Sequence, residues 1–157
     1  MELTGKMNEM EMAELAYETA VNAHKGQVDK AGIDYIQHLV AVAEKVETPV
    51  EKAVAYLHDV VEDTDVTLDD LRQKGFPEEV VTAVDCLTKR DGEPLPDYLL
   101  RVKGNALART VKLADLAHNS DIRRIPHPKE KDFRRVERYH REAEYLRDDA
   151  NAGRFEE

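Results

Sequence analysis

From Pro49 to Asp63 the chain reads PVEKAVAYLHDVVED, and the fold turns on that stretch. On a 3.6-residue helix Val50, Ala53, Val54, Leu57 and Val61 make one apolar stripe. Glu51, Ala55, His58, Asp59, Glu62 and Asp63 share another. His58 with Glu62, and Asp59 with Asp63, stand four positions apart, so an imidazole and several carboxylates gather over about two turns. No Lys or Arg lies between Val54 and Val66 to offset them. Carboxylates this close repel unless water or a cation intervenes. A bound divalent metal would resolve the conflict; a solvated acidic helix end is the plain alternative.

Helical periodicity continues on both sides. The spacing predicts helices over about Asn8 to Lys25, from an Asp34–Gln37 capping pair to about Val46, and unbroken from Pro49 to about Asp63. Between the first two, Gly26 to Ile33 reads as an ordered loop. A short helix capped by Thr67 ends at Gly75, another starts at Pro77, and one of about two turns follows Pro96. The last two run from about Ala106 to Ile122 and from about Lys129 to Arg147, the latter burying Phe133, Val136, Ala143 and Leu146. No segment alternates as a strand does. The expectation is an all-α bundle of about eight helices, a single domain over residues 1–157 with short flexible termini.

Composition narrows the function classes. The 157 residues carry a net charge of −10 and are 36% charged, and apolar runs are too short for a membrane span. The acidic N-terminus lacks the apolar core of a secretory signal. Cys86 is the only cysteine, which excludes an internal disulfide and suits a reducing cytoplasm. An acidic domain is also a poor nucleic-acid binder, because phosphate neutralisation needs a basic face. The expected partner is a small molecule or another protein.

Two further positions join His58 and Asp59. His38 opens the second helix among core-type residues, where a hydrogen-bonded core histidine is the ordinary reading. Asp115 sits within Leu113-Ala114-Asp115-Leu116-Ala117, where a carboxylate is costly to bury without a partner. Lys112, three residues earlier, could be that partner; a metal is the other possibility. Together His38, His58, Asp59 and Asp115 form a set of two imidazoles and two carboxylates, suited to manganese, iron, zinc or magnesium. Such an ion can acidify a bound water and polarise a phosphoryl oxygen.

This order of residues resembles the HD-domain metal phosphohydrolase superfamily, and more closely the hydrolase domain of the Rel/Spo alarmone enzymes and the small alarmone hydrolases. The matching strings are Ala23-His24-Lys25-Gly26-Gln27, Tyr35-Ile36-Gln37-His38, Leu57 through Thr64, Leu87-Thr88-Lys89, and Lys112 through Asp115 with His118-Asn119. The resemblance implies removal of the 3′-diphosphate from guanosine tetra- or pentaphosphate as pyrophosphate, with manganese as the metal. It implies His38, His58, Asp59 and Asp115 as ligands, Glu62 and Asp63 as the catalytic acidic pair, and Asn119 as a nucleoside contact. Lys30, Lys89, Arg90, Lys112 and Arg123 are candidate partners for the substrate's phosphates. His24, His118, His127 and His140 read as structural, and Tyr139 or Tyr145 as neighbours of the site.

The chain departs from the family in three places. Asp29 stands where an arginine usually packs against guanine, Asp34 and Leu39 replace prolines, and Ser120-Asp121-Ile122 replaces a Met-Arg-Thr-like run. The metal and water machinery is complete and the base-recognition surface is altered. The readings kept beside an alarmone hydrolase are another HD-type nucleotide phosphohydrolase, such as a 5′-nucleotidase, and a non-catalytic HD sensor.

Overall fold

A computed structural model describes residues 7–157 of the chain. The flexible N-terminus expected from sequence falls on residues 1–6, outside the described residues. Among the described residues, nine α-helices follow in order: α1 (Glu9–Ala23), α2 (Tyr35–Glu44), α3 (Pro49–Leu57), α4 (Val60–Asp63), α5 (Leu68–Gln73), α6 (Glu78–Leu87), α7 (Leu95–Lys103), α8 (Ala106–Asn119) and α9 (Glu130–Arg147). The only strand-like feature among those residues is an isolated bridge between Val28 and Asp34. Among the described residues, no helix is long and apolar enough to cross a membrane.

The starts are set by side chains that satisfy orphan amides. Asn8, Thr48 and Thr67 each accept from the backbone three residues on, and Glu11, Glu51 and Asp70 return the bond. Asp34 makes no such side-chain cap, contrary to the sequence reading. The bridge to Val28 holds it instead.

Helix α3 is the centre of the bundle, packing against α1, α2, α6 and α8. Ala53, Val54, Ala55 and Leu57 are wholly buried, and the two alanines let neighbouring helices approach closely. The helix does not run to Asp63 as its periodicity predicts. His58 Nδ1 donates to the Ala55 carbonyl at 2.6 Å. In a continuous helix that carbonyl would take the amide of Asp59. The helix ends at Leu57, and α4 resumes after Asp59. Likewise α8 stops at Asn119, and residues 122–124 form a separate 3₁₀ turn capped by Asp121.

Helix α9 lies on α8 and α7 with most of the expected face inward, Val136 half-buried, and a shifted face at its first turn. Ala143 and Leu146 are buried, but Phe133 is 53% exposed, whereas Asp132 and Glu142 are buried. The C-terminal segment anchors this helix. Tyr145 donates to the Gly153 carbonyl at 2.8 Å, Lys103 Nζ to that of Asn151 at 2.5 Å, and Phe155 packs on the Tyr145 ring.

Leu146→Ala is therefore expected to cost about 2–5 kcal/mol in urea unfolding, and Phe133→Ala about 0.5 kcal/mol or less. Equal costs would restore the face read from sequence. Burial raises the Glu142 carboxyl pKa despite Lys112 and Arg138 nearby. The fold thus holds that proton more tightly than the unfolded chain does, and stability is lost as pH rises above 4.5, the ordinary glutamate value. Glu142→Gln should gain on the wild type as pH rises above 4.5; a difference that does not change with pH would refute it.

Candidate metal centre

Helices α2, α3 and α8 and the break before α4 bring His38, His58, Asp59 and Asp115 together. Donor atoms of His38, His58 and Asp59 lie within 4.8 Å of one another. Asp115 Oδ1 is 2.8 Å from His38 Nε2 and 3.4 Å from His58 Nε2. Both imidazoles and Asp115 are buried.

The hydrogen-bond pattern defines what this cluster lacks. His58 Nδ1 is committed as a donor to Ala55, so in the neutral ring Nε2 is a bare lone pair. That nitrogen is buried without a hydrogen-bond partner, 3.2 Å from Asp59 Oδ2 and 3.4 Å from Asp115 Oδ1. A lone pair facing two carboxylates is repulsive unless a proton or a metal ion sits among them. Burial opposes charge on His58, but Asp59 and Asp115 outweigh it and hold the imidazole pKa well above its usual range. Burial likewise opposes ionisation of Asp115, and Lys112 with the two histidines holds it well below the carboxylate range. A divalent cation with two nitrogen and two oxygen donors fits this set.

Neighbouring residues fix the orientation of each candidate ligand. Lys112 Nζ donates to Asp115 Oδ2 and Asn119 Nδ2 to Asp115 Oδ1, both at 3.1 Å. Tyr35 donates to Asp59 Oδ2; burial and that carboxylate push its phenol pKa up. His118 Nδ1 lies 2.7 Å from His38 Nδ1. Burial and the Arg124 charge lower His118 to about 4, so it is a neutral ring. With a cation at His38 Nε2, His38 Nδ1–H would donate to His118, an arrangement that would set ring angle and tautomer.

The structure redistributes several residues assigned from sequence. Lys112 is turned to Asp115 and over the Tyr98 ring rather than toward a ligand. Asn119 has two roles, since it also lines a cavity of about 260 Å³ with Lys30, Tyr35, Arg124, Arg135 and Tyr139. Tyr145 is in the core. Glu62 accepts the Lys89 amide at 2.8 Å, tying α4 to the loop after α6. Partial burial, then the charges of Asp59 and Glu62, raise Asp63 to about 6. Tyr35, His118, Arg124 and Arg135 were not singled out for these positions. The spacing held a signal for two of them: Tyr35 is three residues before His38, and His118 three after Asp115, each pair one turn apart on its helix.

No family model matches the chain. The GTP pyrophosphokinase of Streptomyces coelicolor is 39% identical over 119 residues, 68% of this chain and 14% of that protein. The bifunctional (p)ppGpp synthase/hydrolase SpoT of Escherichia coli is 36% identical over 118 residues, 66% of this chain and 17% of its own length. For the guanosine-3′,5′-bis(diphosphate) 3′-pyrophosphohydrolase of Vibrio cholerae the values are 36% over 121 residues, 74% and 16%. The chain thus spans about a sixth of the length of these curated relatives. Among solved structures, a metazoan ortholog of SpoT that hydrolyzes ppGpp shares the all-helical fold. Its TM-score is 0.73 at 20% identity, over 87% of this chain and 85% of that one.

A divalent ion supplied at about a hundred times its Kd should add about 2.7 kcal/mol to the unfolding free energy. Asp59→Ala should lose that increment in urea melts run with and without chelator. An equal increment in the variant would place the ion elsewhere.

Proposed function

We propose that this domain, a homologue of a segment of the Rel/Spo-type alarmone enzymes, is a metal-dependent phosphohydrolase. Its substrate in this reading is guanosine tetra- or pentaphosphate, from which it removes the 3′-diphosphate as pyrophosphate. The carrying observation is the buried His58 Nε2, unpartnered between two carboxylates, beside a cavity that shares Tyr35 and Asn119 with the cluster.

His38, His58, Asp59 and Asp115 would hold the metal, and manganese is the ion the reading favours. When bound, it would acidify a water and polarise the phosphoryl oxygen. The remaining work belongs to this chain's own side chains. Asp63, beside Asp59 and Glu62, would exchange a proton with the reacting groups. Glu62, anchored on the Lys89 amide, directs its free oxygen to the attacking water. Water adds to phosphorus, the bond from phosphorus to the 3′ oxygen breaks, and a proton returns to that oxygen. Lys30 lines the cavity and offers positive charge to the substrate's phosphates, beside Arg135, which is ion-paired with Asp132. Tyr35 and Lys112 hold the two carboxylates in place. A cytoplasmic setting accords with Cys86 as a free thiol.

One observation favours a second reading, an HD-type phosphohydrolase for a different nucleotide. Asp29 lies in the cavity wall, ion-paired with Arg124, where the resemblance leads one to expect an arginine against guanine.

Purified protein with manganese is expected to release pyrophosphate from guanosine tetraphosphate. Orthophosphate from nucleoside monophosphates instead would support the second reading. Glu62→Gln should keep its metal by elemental analysis and lose about 10²- to 10⁴-fold in kcat. Full activity in that variant would remove the acidic pair from the mechanism.

A further inference from the structure

One ion pair, between residues 95 positions apart, joins the loop after α1 to the turn after α8. Arg124 Nη2 donates to Asp29 Oδ2 at 3.1 Å, with both side chains partly buried. The other Asp29 oxygen accepts the amides of Ala31 and Ile33 at 2.8 and 3.0 Å. Arg124 Nη1 reaches the His118 carbonyl at 3.3 Å, at the end of α8. Both residues line the cavity, yet both Asp29 oxygens and two of the five Arg124 N–H groups are engaged with each other and with the backbone on either side.

The charge placement needs explaining. A cavity for a polyphosphorylated ligand is poorly served by a carboxylate in its wall, since like charges at close range repel strongly. Asp29 is nonetheless there, because its oxygen organises the loop that presents Lys30 to the cavity. Arg124 cancels its charge and fastens that loop to α8.

We infer that Asp29 and Arg124 are positioning residues for nucleotide binding: Arg124 masks Asp29 and clamps the Lys30 loop across the cavity. The inference rests on the nucleotide reading of the cavity given above. It differs from a direct ligand role in one signature. If Arg124 acts by masking Asp29, its loss is relieved when the masked charge is also removed. Asp29→Asn serves that purpose, because its side-chain oxygen can still accept the Ala31 and Ile33 amides.

The test measures kcat and KM for guanosine tetraphosphate, and calorimetric binding of GDP to the metal-free protein. Arg124→Gln should raise KM and the GDP Kd about tenfold, with kcat within about twofold. Adding Asp29→Asn should bring both constants back to within about threefold of wild type. Should Arg124→Gln fail to fold, Arg124→Lys, which keeps the charge, should stay within about threefold by itself. A tenfold loss there would mean that fork geometry, not masking, is what matters, and would overturn the proposal. A double variant as weak as Arg124→Gln, or an Arg124→Gln that binds like wild type, would also overturn it. Wild-type protein that shows the GDP pattern but cleaves no alarmone would retain the clamp and lose the hydrolase reading. Wild-type protein that binds no GDP would end the clamp.

Discussion

An imidazole nitrogen with its lone pair aimed at two carboxylates, in a place water does not reach, is the constraint around which this domain is arranged. His58 cannot escape by changing tautomer, because its other nitrogen is held by the Ala55 carbonyl. Lys112 neutralises one of the two acids, Asp115. The second charge is left to a proton on His58 or to a cation among the four side chains. Charges taken out of water without a full complement of partners cost several kcal/mol each. The cluster therefore favours whatever positive species can enter it, and a divalent ion satisfies both imidazoles and both acids at once.

The same hydrogen bond that commits His58 also shapes the backbone. By occupying the Ala55 carbonyl it ends α3, and Asp59 becomes the residue that leads into α4 instead of one more position on a long acidic face. The apolar packing of α3 on four neighbours holds this break in register with α2 and α8. Tyr35 and Asn119 then extend the cluster outward, each bonded to one of its acids while lining the cavity. The molecule has a net charge of −10; of the cations lining that cavity, Arg124 is paired with Asp29 and Arg135 with Asp132, and Lys30 stands beside them.

The helical pattern was readable because caps and prolines punctuate it: Thr67, Gly75 and Pro77 mark boundaries that the structure keeps within a residue or two. The convergence of His38, His58, Asp59 and Asp115 was readable because acids and histidines in apolar helical settings are costly and therefore conspicuous. The break after Leu57 was not, since periodicity describes side-chain directions and is silent on a ring competing for a backbone carbonyl. Phe133 was misplaced for a related reason. The phase of α9 is set by α8 and by the segment that folds back through Lys103, Tyr145 and Phe155, contacts invisible in a local window. His118 was assigned a structural part; its contact with His38 depends on how α2 and α8 cross, a tertiary fact.

The division between cluster and cavity follows from what each is built on. His38, His58 and Asp115 stand on or at the ends of packed helices, where a shift of one side chain disturbs a buried hydrogen-bond network. Asp29, Lys30, Arg124 and Ile125 belong to the loop before α2 and the turn after α8, where substitutions meet fewer packed neighbours. A carboxylate added to the cluster would upset its charge balance. In the loop a carboxylate is accommodated, because Asp29 caps its own loop and pairs with Arg124. The two halves of the site can therefore diverge separately, with the cluster fixed by the buried charge balance and the cavity wall by a compensated, partly exposed ion pair.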